Sequence, residues 1–161
     1  MTPTAADVPA TGEPRLAGVF RIDRDGTWLH EGVEVTHPGV LQNLYANLRT
    51  EGEAYHLQVG PQRIPVQVDD APFVVVRADA MPAAETVTLH LTDGSREVLD
   101  AATLVLDARG IPRCRVKDGR FPARFSIAAW LQLAGQIAPE SGSGEPALVL
   151  GGRRITLRRP A

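Results

Sequence analysis

The chain has 161 residues, 43% hydrophobic and 22% charged, with a formal net charge of −2. A chain of that length buries roughly 70% of its unfolded surface, so it can build a core without staples. The lone cysteine, Cys114, excludes an intramolecular disulfide and a cysteine zinc cluster, and apolar runs such as Phe73 to Val76 and Leu104 to Leu106 are strand-sized rather than membrane-spanning.

Met1 to Pro14 is rich in Thr, Ala and Pro and lacks both periodicity and the regions of a signal peptide. It reads as a disordered tail, with a cytoplasmic location as the default. From Arg15 the pattern alternates. Val19, Phe20 and Ile22 run into the turn Asp23-Arg24-Asp25-Gly26, and Trp28 to Val35 alternates again around Gly32. Thr36-His37-Pro38 signals a helix start, with Thr as the capping residue. Leu41, Leu44, Tyr45 and Leu48 then form one apolar stripe of a helix ending near Gly52. Strands are predicted at Ala54 to Val59, Ile64 to Val68, Phe73 to Val76 and Thr86 to Leu91, the last turning at Asp93-Gly94 back through Val98. Leu104 to Leu106, the turn Asp107 to Gly110 and a strand over Arg113 to Val116 follow. Ser126 is the expected cap of a second helix with the stripe Ile127, Trp130, Leu131 and Ala134, and a hairpin through Gly151-Gly152 closes the pattern.

The two halves of the chain overlay. Ile22-Asp23-Arg24-Asp25-Gly26 matches Leu106-Asp107-Ala108-Arg109-Gly110, and Leu41, Leu44, Tyr45 and Leu48 fall on Ile127, Trp130, Leu131 and Ala134. Val59 to Val66 meets Leu150 to Leu157 with Gly, Arg and Ile in register. The expected fold is therefore α+β: tandem duplicated ββαββ units with bent antiparallel sheets and one helix per repeat. The units span residues 15–80 and 81–161 and pack as one globular body, because each alone is near the size where a core is marginal.

Several segments resemble a bacterial family known as domain of unknown function 1285. They are Asp25-Gly26-Thr27-Trp28, Gly32, the Leu41 to Leu48 helix, Tyr55-x-Leu57, Val68-Asp69-Asp70-Ala71-Pro72-Phe73, Val116-Lys117-Asp118-Gly119 and Ala123-Arg124-Phe125. The chain departs from the family's aromatic-Arg-Thr-Asn run at Leu89-His90-Leu91-Thr92. The resemblance implies a repeated α+β fold and a part in signalling, and it brings no catalytic residues.

The residues themselves point to no reaction. His30, His37, His56 and His90 show no zinc spacing, and there is no phosphate-binding glycine loop or nucleophile elbow, so neither metal nor cofactor is expected. Asp69-Asp70 reads either as paired carboxylates or as turn chemistry, and Cys114 as a strand residue between Arg113 and Arg115. Charge is more telling. Residues 1–80 hold eleven acids and six bases, whereas from Arg109 onward ten bases face three acids. Arg suits planar recognition of carboxylate or phosphate, and His37, Arg120, Arg124 and Ser126 lie at helix starts, where backbone N–H groups favour an anion. Either a small anionic ligand binds there, in a groove between the repeats, or the basic half simply pairs with the acidic one.

The function expected is a non-catalytic regulatory or small-ligand-binding protein. Its partner would be a small anion or a protein, and strand edges offer a route to a homodimer. A nucleic-acid-binding module using the Arg-rich half and an unrecognised enzyme are the alternatives, with net charge and few aromatics speaking against the former. No membrane association is expected.

Overall fold

The computed structural model describes residues 19–138 and 145–159, and the expected tail at Met1 to Pro14 lies outside them. The strands β1 (Phe20–Ile22), β2 (Trp28–His30) and β3 (Val33–Glu34) are followed by helix α1 (Pro38–Ala46) and by β4 (Leu48–Glu51), β5 (Ala54–Val59) and β6 (Gln62–Val68). Next come β7 (Phe73–Met81), β8 (Thr86–Leu91), β9 (Arg96–Val98), β10 (Val105–Leu106), β11 (Pro112–Val116) and β12 (Phe121–Phe125). Helix α2 (Ile127–Gln132), β13 (Ile137–Ala138), β14 (Ala147–Leu150) and β15 (Arg153–Thr156) complete the chain.

Two six-stranded sheets form, in the orders β3-β2-β1-β6-β5-β4 and β10-β11-β12-β7-β8-β9, and β13-β14-β15 makes a third. The fold is α+β with repeated units, as expected. Both large sheets are antiparallel except for one parallel pair at the centre, β1 with β6 and β7 with β12. The expected boundary between residues 80 and 81 falls within β7, which pairs in the second sheet, and the chain passes from one sheet to the other at Asp69 to Pro72.

Each repeat has three strands on either side of its helix rather than two. The strands that alternation missed are short or interrupted. β3 has two exposed residues, β4 buries only Leu48, β13 has two half-buried residues, and β12 contains Pro122, a residue that argues against a strand. With these strands included, β1 to β6 correspond to β10 to β15. The Asp turns bond alike: Asp23 Oδ1 accepts from the N–H groups of Asp25 and Thr27, and Asp107 Oδ1 from those of Arg109 and Ile111. Arg21 pairs with Gln67 in the parallel register of the first repeat, and the equivalent residues, Val105 and Arg158, form a parallel bridge in the second. Between the repeats stands the meander β7 to β9.

The helices differ from expectation. α1 stops at Ala46 instead of near Gly52, so Leu48 is buried from β4 and not from the helix. The cap is His37 rather than Thr36, its Nδ1 accepting from Gly39 N at 3.0 Å and Val40 N at 3.4 Å. In α2 the expected stripe is rotated: Ile127 is 78% and Leu131 64% exposed, while Ala129 and Leu133 are fully buried. Aligning the helices by their caps, His37 on Ser126, shifts the sequence overlay by three residues and sets buried Leu44 on buried Leu133.

One hydrophobic cluster joins all three sheets. Through it runs a chain of rings, Phe20–Trp28–Tyr45–Phe73–Phe121–Tyr55, with neighbouring centroids 4.9–6.5 Å apart. Tyr45 of α1 and Phe73 of β7 are adjacent links, so the ring chain fixes the first repeat's helix against the second sheet.

Candidate functional site

That junction leaves a cleft of about 290 Å³ lined by Gln42, Tyr45, Ala46, Leu48, Arg49, Phe73, Asp93, Lys117, Arg120 and Phe121. Its polar wall is the β11–β12 turn. Lys117 and Asp118 are non-glycine residues in the left-handed region, at φ 56° and 58°, a conformation that costs of order 1–3 kcal/mol per residue and persists only where surrounding contacts impose it. Here the contacts come from the β8–β9 hairpin. The Lys117 N–H donates to both Glu97 carboxylate oxygens at 3.2 Å, and Lys117 Nζ lies 2.7 Å from Asp93 Oδ2 and donates to Ser95 Oγ at 2.7 Å. The ammonium also sits 5.6 Å from the centre of the Phe73 ring. Lys117 is the only lysine in the chain.

Among the described residues Asp93 is the one carboxylate lining the cleft. Burial pushes its carboxyl up, but the Lys117 ammonium and the bonds from Ser95 outweigh burial and hold it below the ordinary carboxylate range. Arg120 rests against the Phe121 ring at 5.9 Å and donates from Nε to Lys117 O at 3.0 Å. Arg49 donates from one terminal nitrogen to Ala46 O and Leu48 O, both at 2.9 Å. Beneath these groups the hydroxyl of buried Tyr45 donates to Thr92 Oγ1 at 2.8 Å, and burial raises its pKa.

Of the four residues singled out from sequence, Arg120 lines this cleft and the others are engaged elsewhere. His37 caps α1 from an exposed position. Ser126 caps α2, accepting from Ala129 N at 3.0 Å. Arg124, with an 11% exposed side chain, approaches Asp70 at 3.3 Å and donates to the carbonyls of Phe125 and Arg24. Sequence proximity misled because Arg120 stands in the turn before β12 and Arg124 near the far end of that strand, which carries it to different neighbours. The Lys117 turn was visible as a Gly-containing basic turn, but its facing residues, Arg49 and Asp93, are remote in sequence.

Asp69 and Asp70 are both ion-paired. Arg21 holds Asp69 with contacts of 2.7–3.0 Å, and Arg113 bridges Asp70 at 2.7 Å and Asp107 at 2.8 Å. Cys114 is buried, its thiol pushed up to about 12 chiefly by burial and further by Glu97 and Asp100, which removes the thiolate needed for reactivity. Among the described residues no group of His, Cys, Asp and Glu is arranged to hold a metal ion. No helix among them is long and apolar enough to cross a membrane.

No protein-family model matches the sequence, and no curated protein matches it. Solved structures do. A DUF1285 family protein from Silicibacter pomeroyi superposes with a TM-score of 0.71 at 23% identity, covering 98% of this chain and 87% of that one. A second, from Shewanella baltica, gives 0.62 at 16% identity over 73% of this chain and 91% of that one. The chain has the DUF1285 fold. The resemblance carried by the first repeat and the Lys117 turn thus extends to the architecture. Within this DUF1285 fold, the cleft lies where α1 of the first repeat meets the β8–β9 and β11–β12 turns of the second sheet.

Proposed function

We propose that the protein is a non-catalytic regulatory protein that binds a small anionic ligand in the cleft between α1 and the Lys117 turn. The observation that carries this reading is the arrangement of Lys117, Arg120 and Arg49 around one cavity with a single facing acid, Asp93. Left-handed backbone at a non-glycine residue is unfavourable, and here it presents the chain's sole lysine to that cavity. The cavity sits near the lower end of the size range of ligand sites, which suits a small molecule better than a cofactor. A part in bacterial signalling, which the DUF1285 resemblance implies, is the role such a binding protein would serve.

Melting of the full chain against phosphates, nucleotides and carboxylates tests the reading, combined with acylation of Lys117 followed by mass spectrometry. A bound anion should raise the melting temperature and slow modification of Lys117, and Arg120→Ala should weaken both effects. If no anion shifts the melting temperature or protects Lys117, small-anion binding is wrong.

A further inference from the structure

We infer that the occupant of the cleft is a small, hydrophilic dianion that takes the place of Asp93 on Lys117, an inference that rests on the anion-binding reading above. Charge sets the count. Lys117, Arg120 and Arg49 against Asp93 leave two positive charges uncompensated among the groups lining the cleft. Both guanidiniums keep terminal nitrogens beyond those bonded to carbonyl oxygens. Arg120 uses Nε toward Lys117 O, and Arg49 uses Nη1 toward Ala46 and Leu48. A guanidinium edge is the group that best matches carboxylate or phosphate oxygens.

The rings argue against a flat aromatic ligand. Tyr45, Phe73 and Phe121 are each less than 10% exposed, and Lys117 and Arg120 lie over Phe73 and Phe121. An entering molecule therefore meets cations and not ring faces. The chemistry is that of a phosphate monoester or a short dicarboxylate, two sources of the same paired negative charge.

Asp93 is built to yield. Its Oδ1 accepts from Ser95 N at 3.0 Å and from Ser95 Oγ at 2.6 Å, so the carboxylate keeps hydrogen bonds within its own turn when Lys117 turns to a ligand. Lys117 in turn stays anchored through its backbone N–H on Glu97. Asp93 acts as an internal counter-ion that holds the empty site together and competes with the ligand.

Isothermal titration of the full chain with inorganic phosphate, glycerol 3-phosphate, succinate and acetate separates the possibilities. The dianions should bind at least about tenfold more tightly than acetate, because they engage two guanidinium edges where acetate engages one. The tighter of the phosphate and succinate arms identifies the source. Asp93→Asn should tighten dianion binding several-fold by removing the competitor. Arg120→Ala, an exposed change, should bring the dianion-to-acetate ratio close to one. Acetate binding as well as the dianions, an unchanged ratio in Arg120→Ala, or weaker dianion binding in folded Asp93→Asn would each overturn the inference while leaving an anion site in place. Failure of every anion to bind would remove the anion-binding reading itself.

Discussion

In the first repeat β1 runs parallel to β6 over three register pairs, Phe20 with Val66 through Ile22 with Val68, whereas the equivalent junction of the second repeat is the single bridge from Val105 to Arg158. The outer edges differ in the opposite sense. β3 ends its sheet with two exposed residues, but its counterpart β12 buries Phe121, Ala123 and Phe125 and pairs in parallel with β7. A strand buried on alternate positions gains from a neighbour, and a two-residue exposed strand does not. The second repeat has thus exchanged most of its internal closure for the meander β7 to β9. That meander supplies Phe73 and Asp93 to the candidate site.

The helices offer the largest test of this contrast. α1 buries Leu44 and Tyr45, with the Tyr45 ring set between Trp28 of its own repeat and Phe73 of β7, while α2 turns Leu133 inward and lies against β7, where Gln132 Oε1 accepts from Ala78 N at 2.8 Å beside the bulge between Val75 and Arg77. Leu133→Ala should cost about 2–5 kcal/mol, as for other fully buried leucines, and Leu131→Ala less than about 0.5 kcal/mol. Urea unfolding of both variants measures this. Similar losses would mean that α2 packs through the Ile127–Leu131 face after all.

The misplaced stripe shows what was legible in the sequence. Alternation with a turn signal located β5 and β8 to the residue, and the matched Asp turns and closing hairpins revealed the repeat. Helix periodicity in α2 failed because only six residues are helical, too few turns for one face to declare itself, and its flanking alanines fit either stripe. The site was half legible. A basic Gly turn can be read from Lys117 to Gly119, but Arg49 and Asp93 reach it only through the packing of α1 on the second sheet, which no local pattern encodes.

A smaller effect should separate two equivalent glycines. Gly60 and Gly151 hold matching places in the closing hairpins at φ 56° and 58°, yet a Cβ on Gly60 would meet nothing within 4 Å and one on Gly151 would lie 2.6 Å from the Pro82 carbonyl oxygen. Gly60→Ala should therefore cost only the left-handed strain, about 1–2 kcal/mol, and Gly151→Ala about 1–3 kcal/mol beyond that. The Asp turns reverse the roles, because Gly26 would press on Val74 at 2.9 Å and Gly110 on nothing within 4 Å. Thermal unfolding of the four alanine variants should thus rank Gly151 above Gly60 and Gly26 above Gly110. Equal losses within each pair would show that the neighbours give way and that contacts with the central meander do not distinguish the repeats.

The smallest contrast lies in the Asp turns themselves. Asp23 and Asp107 cap their turns with the same pair of backbone bonds, but Asp107 Oδ2 also accepts from Arg113, which extends to Asp70 at the point where the chain changes sheets. Burial pushes the Asp107 carboxyl up, yet the bond from Arg113 and the N–H groups of Ile111 and Arg109 prevail and leave it below its ordinary value. A carboxylate depressed in the folded state contributes its stability in full above the unfolded pKa, near 4, and loses it as pH falls through the folded value. Asp107→Asn keeps the Oδ1 acceptor but not the charge, so near neutral pH it should cost about 1 kcal/mol, against less than about 0.5 kcal/mol for Asp23→Asn. The gap between wild type and Asp107→Asn should begin to narrow as the pH drops below about 4, where the unfolded chain takes up the proton, and close only once the pH has passed below the depressed folded value, where Asp107 itself is neutral. Urea midpoints of both variants across that range measure the difference. A gap that persists in acid would assign the loss to the altered turn rather than to the bridge from Asp107 through Arg113 to Asp70.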